Sequence, residues 1–160
     1  MTYLGRIVGL DVGDVRIGVA VSDPLRIIAQ PHSVITRSAH SLSTVCRRLT
    51  NCDPDKLWEQ DIAAVRGVIE QTEAVRVVVG LPLNREGKTG PQAEKVLQFV
   101  EQLRAAVDVE IVTQDERFTT AAAERMLIAA NVSRKNRKKV VDKIAAHHIL
   151  QVHLDRAKRA

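Results

Sequence analysis

Val75 to Val79 is an almost unbroken β-branched run set between two stretches of helical periodicity, and no other feature constrains the fold as strongly. Such a run reads as a strand covered on both faces, the way strands of parallel sheets are buried. Before it, Trp58 to Thr72 carries Ile62, Val65 and Ile69 at the spacing of one helical face. After it, Pro91 opens a second helical stretch through Val96, Phe99, Val100 and Leu103, proline being favoured in a first turn. Val109 to Thr113 then reads as another strand, and a helix between two strands of one sheet forces them parallel.

The opening third reads differently. Arg6 to Leu10 is an apolar run ending in Asp11, and Arg16 to Ser22 is a second strand. Val12-Gly13-Asp14-Val15 between them suits a tight hairpin. Ile27 to Ile35 gives a third strand, and Pro31 within it predicts a sheet edge, because proline cannot donate to a ladder. Residues 37 to 57 show little periodicity and read as a loop with one helical turn. A helix is expected from Thr120 to Ala130, capped by Thr119 or Thr120, and a last helix from Lys138 to Arg156. The fold class is therefore α/β: a mixed five-stranded sheet, three antiparallel strands then two parallel ones, with helices on both faces. The 160 residues fit one domain, with 38–58 as an inserted loop.

Composition narrows the function. At 45% hydrophobic the chain can bury a core, and at 2% aromatic that core is Val, Ile, Leu and Ala. So few rings argue against a base-stacking platform for single strands. A net charge of +5 favours polyanionic partners. Cys46 and Cys52, six positions apart with no second pair, make neither a disulfide framework nor a zinc site. No segment approaches the ~18 consecutive apolar residues of a membrane span, and Met1 to Arg6 lacks the pattern of a signal peptide. A cytoplasmic protein with no membrane partner is expected.

Three acidic positions carry the chemistry. Asp11 ends one strand, and Asp115 and Glu116 end another. Asp142 sits early in the last helix, three, four and seven positions before Ala145, Ala146 and Ile149, hence on their face. A carboxylate facing an apolar surface is costly unless paired or bound to a cation. Brought together, three would form an oxygen-rich site for Mg²⁺ or Mn²⁺, where two ions ~4 Å apart could activate water against a phosphodiester. Each also has a plainer reading: Asp11 starts a turn, Asp115 or Glu116 pairs with Arg117, and Asp142 favours the first turn or two of its helix. Arg134, Lys135, Arg137, Lys138, Lys139 and Lys143 surround that helix start, where positive charge opposes the macrodipole and a phosphate backbone would explain it. Gly80 to Asn84 and Gly87 to Gly90 lack P-loop spacing, and either hold phosphate through backbone N–H groups or merely turn.

Gly9-Leu10-Asp11-Val12-Gly13 and Arg16 to Pro24 resemble the opening of the YqgF/RuvX family. The likeness continues through Val79 to Leu83, Gly90-Pro91, Asp115 to Ala121 and Lys138 to Ala146. It implies an RNase H-like fold related to Holliday junction resolvases. It further implies a divalent-metal nuclease acting on junctions or on the 5′ end of pre-16S rRNA. Carried over position by position, the metal-binding and catalytic triad is Asp11, Glu116 and Asp142. Strand alternation puts Asp115 and Glu116 on opposite faces and leaves open which one faces the metal. The stretch from Ser38 to Trp58 is longer than the family pattern, and leaves Cys46, Cys52 and Trp58 as candidates for a lineage-specific contact or dimer surface.

The expected activity is hydrolysis of phosphodiester bonds in structured RNA or branched DNA, with Arg16, Arg117, Arg134, Lys135, Arg137, Lys138 and Lys139 on the phosphates. An actin-like or sugar-kinase reading of Asp11-Val12-Gly13 would need a second domain to close over ATP, and the chain is too short for it. A non-catalytic nucleic-acid-binding module of ribosome assembly needs the basic cluster without the carboxylates, so metal-dependent turnover separates it from the enzyme. A homodimer stays open.

Overall fold

The computed structural model describes residues 4–37, 58–84, 86–116 and 133–159, and the side chains of 134–142 lie outside that description. The loop and helical turn expected between Ser38 and Leu57, with Cys46 and Cys52, and the helix expected from Thr120 to Ala130 also lie outside it. The elements are β1 (Arg6–Val12), β2 (Arg16–Ser22), β3 (Ala29–Thr36), α1 (Glu59–Thr72), β4 (Ala74–Leu81), α2 (Pro91–Ala106), β5 (Glu110–Asp115) and α3 (Arg134–Arg159). Among the described residues no helix is long and apolar enough to cross a membrane.

The sheet order is β3-β2-β1-β4-β5. β1, β2 and β3 pair antiparallel, whereas β4 runs parallel to both β1 and β5. Pro31 lies on the edge strand, and the ladder slips beside it, between Val19 and Ala20. The missing N–H therefore costs no central hydrogen bond. Asp23 organises the β2–β3 turn by accepting from the backbone N–H groups of Leu25, Ile27 and Ile28 at 3.1, 2.6 and 2.8 Å.

Strand alternation divides the core in two. Val8, Leu10, Val77, Val79 and Ile111 face α1 and α2, meeting Val65, Ile69, Val96, Phe99 and Leu103. Ile7, Ala20, Ala29 and Val78 face α3, meeting Ala146, Ile149, Leu150 and Leu154. Val77, Val78 and Val79 are fully buried, as expected of a strand covered on both sides. The α3 face is built from small residues, so the helix comes very close. A Cβ on Gly9 would stand 2.7 Å from the Leu150 Cβ and 3.1 Å from the Ala146 carbonyl oxygen.

The last helix starts at Arg134 rather than at the expected Lys138. Asp142 is thus more than two turns inside it, beyond the reach of the macrodipole, and the first-turn explanation of its charge does not apply. That first turn holds no acidic residue.

Gly9→Ala should lower stability by ~1–3 kcal/mol in chemical denaturation, because its methyl meets helix atoms that cannot move alone. Gly67→Ala in α1, with open space around the new methyl, should instead gain ~0.5–1 kcal/mol.

Candidate active site

The C-terminal ends of β1, β4 and β5 lie side by side because these three strands are parallel neighbours. Open α/β sheets place ligands at such ends. On β1, Ile7 and Gly9 face α3, so alternation puts Asp11 on that face. On β4, Val78 and Gly80 face α3. On β5, Val112 packs on the α3 side, and Gln114 donates to the Ile149 carbonyl at 2.9 Å. Glu116, the next residue in that alternation, follows them, whereas Asp115 falls on the side of Ile111. Of the two neighbouring acids, Glu116 therefore shares the α3 face with Asp11.

Glu116 is held in place by backbone and by space. Its N–H donates to the Leu81 carbonyl at 3.2 Å, tying it to the end of β4. Its carboxylate occupies the room that Gly80 leaves: a Cβ on Gly80 would stand 2.6 Å from Glu116 Oε2 and 2.5 Å from Ile149 Cδ1. Gly80 is thus a strand residue whose missing side chain houses an acid. Glu116 Oε2 is buried and has no hydrogen-bond partner among the described residues. Burial, with the charges of Asp11 and Asp115 adding to it, pushes the Glu116 carboxyl from 4.5 up to about 8. A buried carboxyl near the Asp11 carboxylate, with an unpartnered oxygen, suits a hard divalent cation, which would supply the missing positive charge.

The structure brings Asp11 and Glu116 together, near enough for the charge of one to shift the other. Among the described residues no set of three His, Cys, Asp or Glu side chains could hold an ion. Asp142 contributes its backbone position alone. It lies one turn before Ala146, on the helix face toward the sheet, and the helix runs past Gly9 in the direction that carries this position toward the β1 end. Arg16, first in β2, alternates onto the α3 face with Gly18, the pairing partner of Asp11. Arg117 lies outside the described residues, as do the side chains of Arg134, Lys135, Arg137, Lys138 and Lys139.

In the loop after β4 the described residues form a turn closed on Asn84. Asn84 Oδ1 accepts from the N–H groups of Glu86 and Lys88 at 3.1 and 2.8 Å, and the Asn84 carbonyl takes that of Gly87 at 2.9 Å. Those donors are spent within the loop. Trp58, a candidate for a lineage-specific contact or dimer surface, packs at 5.7 Å from Phe99 and under the Arg37 guanidinium at 4.2 Å. Arg37 and Asp61 were missed from the sequence: a charged residue at a strand end and another on an amphipathic helix both read as surface.

The sheet order, the helices on its two faces and the acids at the parallel strand ends define an RNase H-like protein. Two solved structures of *Thermus thermophilus* RuvC, one in complex with a Holliday junction substrate, share this fold. Each has a TM-score of 0.55 over 96% of both chains, at 15% and 14% identity. The chain belongs to the RuvX family, whose model, described as Holliday junction resolvase, matches residues 5–52 and 38–156. These matches overlap within the stretch expected to exceed the family pattern. Relatives from *Halothermothrix orenii* and *Desulforamulus reducens*, each named "Putative pre-16S rRNA nuclease", are 43% and 46% identical over 94% of this chain. The matches cover 94% and 96% of those relatives.

The raised Glu116 pKa has a definite sign. The folded state holds a proton that the unfolded state releases near 4.5. Metal-free protein should therefore lose stability as pH rises from about 4.5 to about 8, and level off above. Glu116→Gln should remove that slope and be more stable than the parent by a few kcal/mol at pH 8 in EDTA, read by urea denaturation.

Proposed function

We propose that this protein is a divalent-metal-dependent endonuclease that hydrolyses phosphodiester bonds in structured nucleic acid, with precursor 16S rRNA as its substrate. The observation that carries the reading is the buried, unpartnered Glu116 oxygen beside Asp11 at the ends of adjacent parallel strands. Family membership supports nuclease activity, and the names of the curated relatives support the RNA substrate over the branched DNA of the more distant RuvC structures.

Asp11, Glu116 and Asp142 would hold Mg²⁺ or Mn²⁺. The ion would supply Lewis-acid chemistry at the scissile phosphate and neutralise charge that develops there. The chain's own contribution is to hold these carboxyl groups close together on the α3 face of the sheet. Without a cation Glu116 holds its proton at neutral pH, and it would have to release that proton to hold an ion, so ion binding and deprotonation would be linked. Arg16, on the same face, would meet a phosphate of the bound strand. Arg117 and the Arg134–Lys139 cluster would draw in the backbone on either side. That contact is electrostatic and should weaken steeply with salt.

Asp11→Asn should reduce cleavage of a pre-16S rRNA fragment by at least ~10³-fold while nucleic-acid affinity stays within ~3-fold, because charge is lost without loss of shape. Full activity in a pure preparation of that variant would remove the triad from the mechanism. A four-way DNA junction assayed alongside decides the substrate, and faster junction cleavage would overturn the RNA assignment. Mg²⁺ should raise the melting temperature more at pH 8 than at pH 6, since at the lower pH the ion must displace the Glu116 proton.

A further inference from the structure

Arg37 and Asp61 form a charged pair inside the protein, with side chains only 5% and 1% exposed, and the proposed reaction uses neither. Arg37 follows β3 directly, and Asp61 lies in the first turn of α1. The Arg37 Nε donates to Asp61 Oδ2 at 2.9 Å. Its Nη1 donates to the Gly13 carbonyl at 2.7 Å, and its backbone N–H donates to the Val15 carbonyl at 2.8 Å. The guanidinium lies 4.2 Å from the Trp58 ring centroid and 6.0 Å from that of Phe99. One side chain thus bridges the β1–β2 turn, the start of α1 and the middle of α2.

The turn it grips is the one that follows Asp11. Its internal closure is the hydrogen bond from the Gly13 N–H to the Arg16 carbonyl, at 2.9 Å. Asp11, paired with Gly18, is two residues before Gly13. A hairpin end held only by its own ladder can tilt, whereas a carboxylate serving a metal must stay within ~0.5 Å of its place. Buried ion pairs contribute little net stability over apolar residues of the same size, so stability alone does not account for burying this one. Asp61 Oδ1 has no hydrogen-bond partner among the described residues, so in the structure Asp61 serves to aim the guanidinium.

We infer that Arg37, oriented by Asp61 and Trp58, is a positioning residue that fixes the β1–β2 turn and thereby sets the Asp11 carboxylate opposite Glu116. The inference rests on the metal-nuclease reading for its effect on turnover, but its effect on the turn can be measured without metal or substrate.

The test is the double variant Arg37→Met/Asp61→Leu, which replaces the pair by apolar side chains and leaves no charge stranded. Its melting temperature should stay within about 5 °C of the parent. Exchange of the Gly13 amide hydrogen should be at least ~10-fold faster in metal-free protein, because the turn loses its anchor. Mn²⁺ affinity measured without nucleic acid should fall ~10-fold, as it does when the groups that orient a ligand are removed. The kcat for rRNA cleavage should fall ~10- to 100-fold while KM stays within ~2-fold. A folded double variant with parental Gly13 exchange and parental kcat overturns the inference. If the double variant does not fold, Arg37→Lys decides by the same two readouts, since its single nitrogen cannot span Asp61 and Gly13 together. A parent protein that neither binds Mn²⁺ nor cleaves overturns the nuclease reading instead, and Gly13 exchange still judges the role of Arg37 in the turn.

Discussion

The close seating of α3 on the sheet is the contact from which the rest of the structure follows. Gly9 lets the helix backbone approach β1 so nearly that even a methyl group would collide with Leu150. Ala20, Ala29, Ala145 and Ala146 keep the surrounding surface low, and Ile149, Leu150 and Leu154 seal it. That seating decides which residues at the strand ends face a dry surface and which face the opposite layer. Asp11 and Glu116 are on the α3 side for this reason, and Asp115 is not. With larger residues at these positions the helix would stand off and water would enter between the acids.

Partial burial gives Glu116 its character. A carboxylate in water is an ordinary group that ionises near 4.5, whereas Glu116 is pushed to about 8 by its surroundings and by its neighbours. The protein holds this carboxyl by geometry: Gly80 clears the space, and the Glu116 N–H is tied to Leu81. The same layout recurs on the other face, where Arg37 and Asp61 are buried among Trp58 and Phe99. There the buried carboxylate of Asp61 has its cation in the Arg37 guanidinium.

Much of this was legible in the residues. The β-branched run of β4, the proline of β3 and the proline opening α2 each announced a local geometry, and each element formed where the pattern placed it. The end of the first apolar run also marked Asp11 as a strand-end acid. The boundaries of α3 were less legible. Its first turn is so rich in Arg and Lys that no apolar periodicity marks it, and the expected start fell four residues late. The loop glycines after β4 suggested a phosphate cradle or a turn, and the Asn84 side chain, which takes the N–H groups of Glu86 and Lys88, could equally have pointed elsewhere. Trp58 went unassigned because its partners, Arg37 and Phe99, are remote in sequence.

The amino-acid order by itself determined the architecture: which segments are strands or helices, that β1 to β3 return antiparallel, and that β4 and β5 must be parallel. These follow from periodicity, proline chemistry and the length of a crossover, all short-range properties of the chain. It also named the acids that stand at the strand ends. Only the tertiary structure chose Glu116 over Asp115 for the α3 face, raised its pKa, and joined Arg37 to Asp61 and to the turn after Asp11. Burial, field and hydrogen-bond partners depend on groups far apart along the chain. They come into being only when the helices close over the sheet.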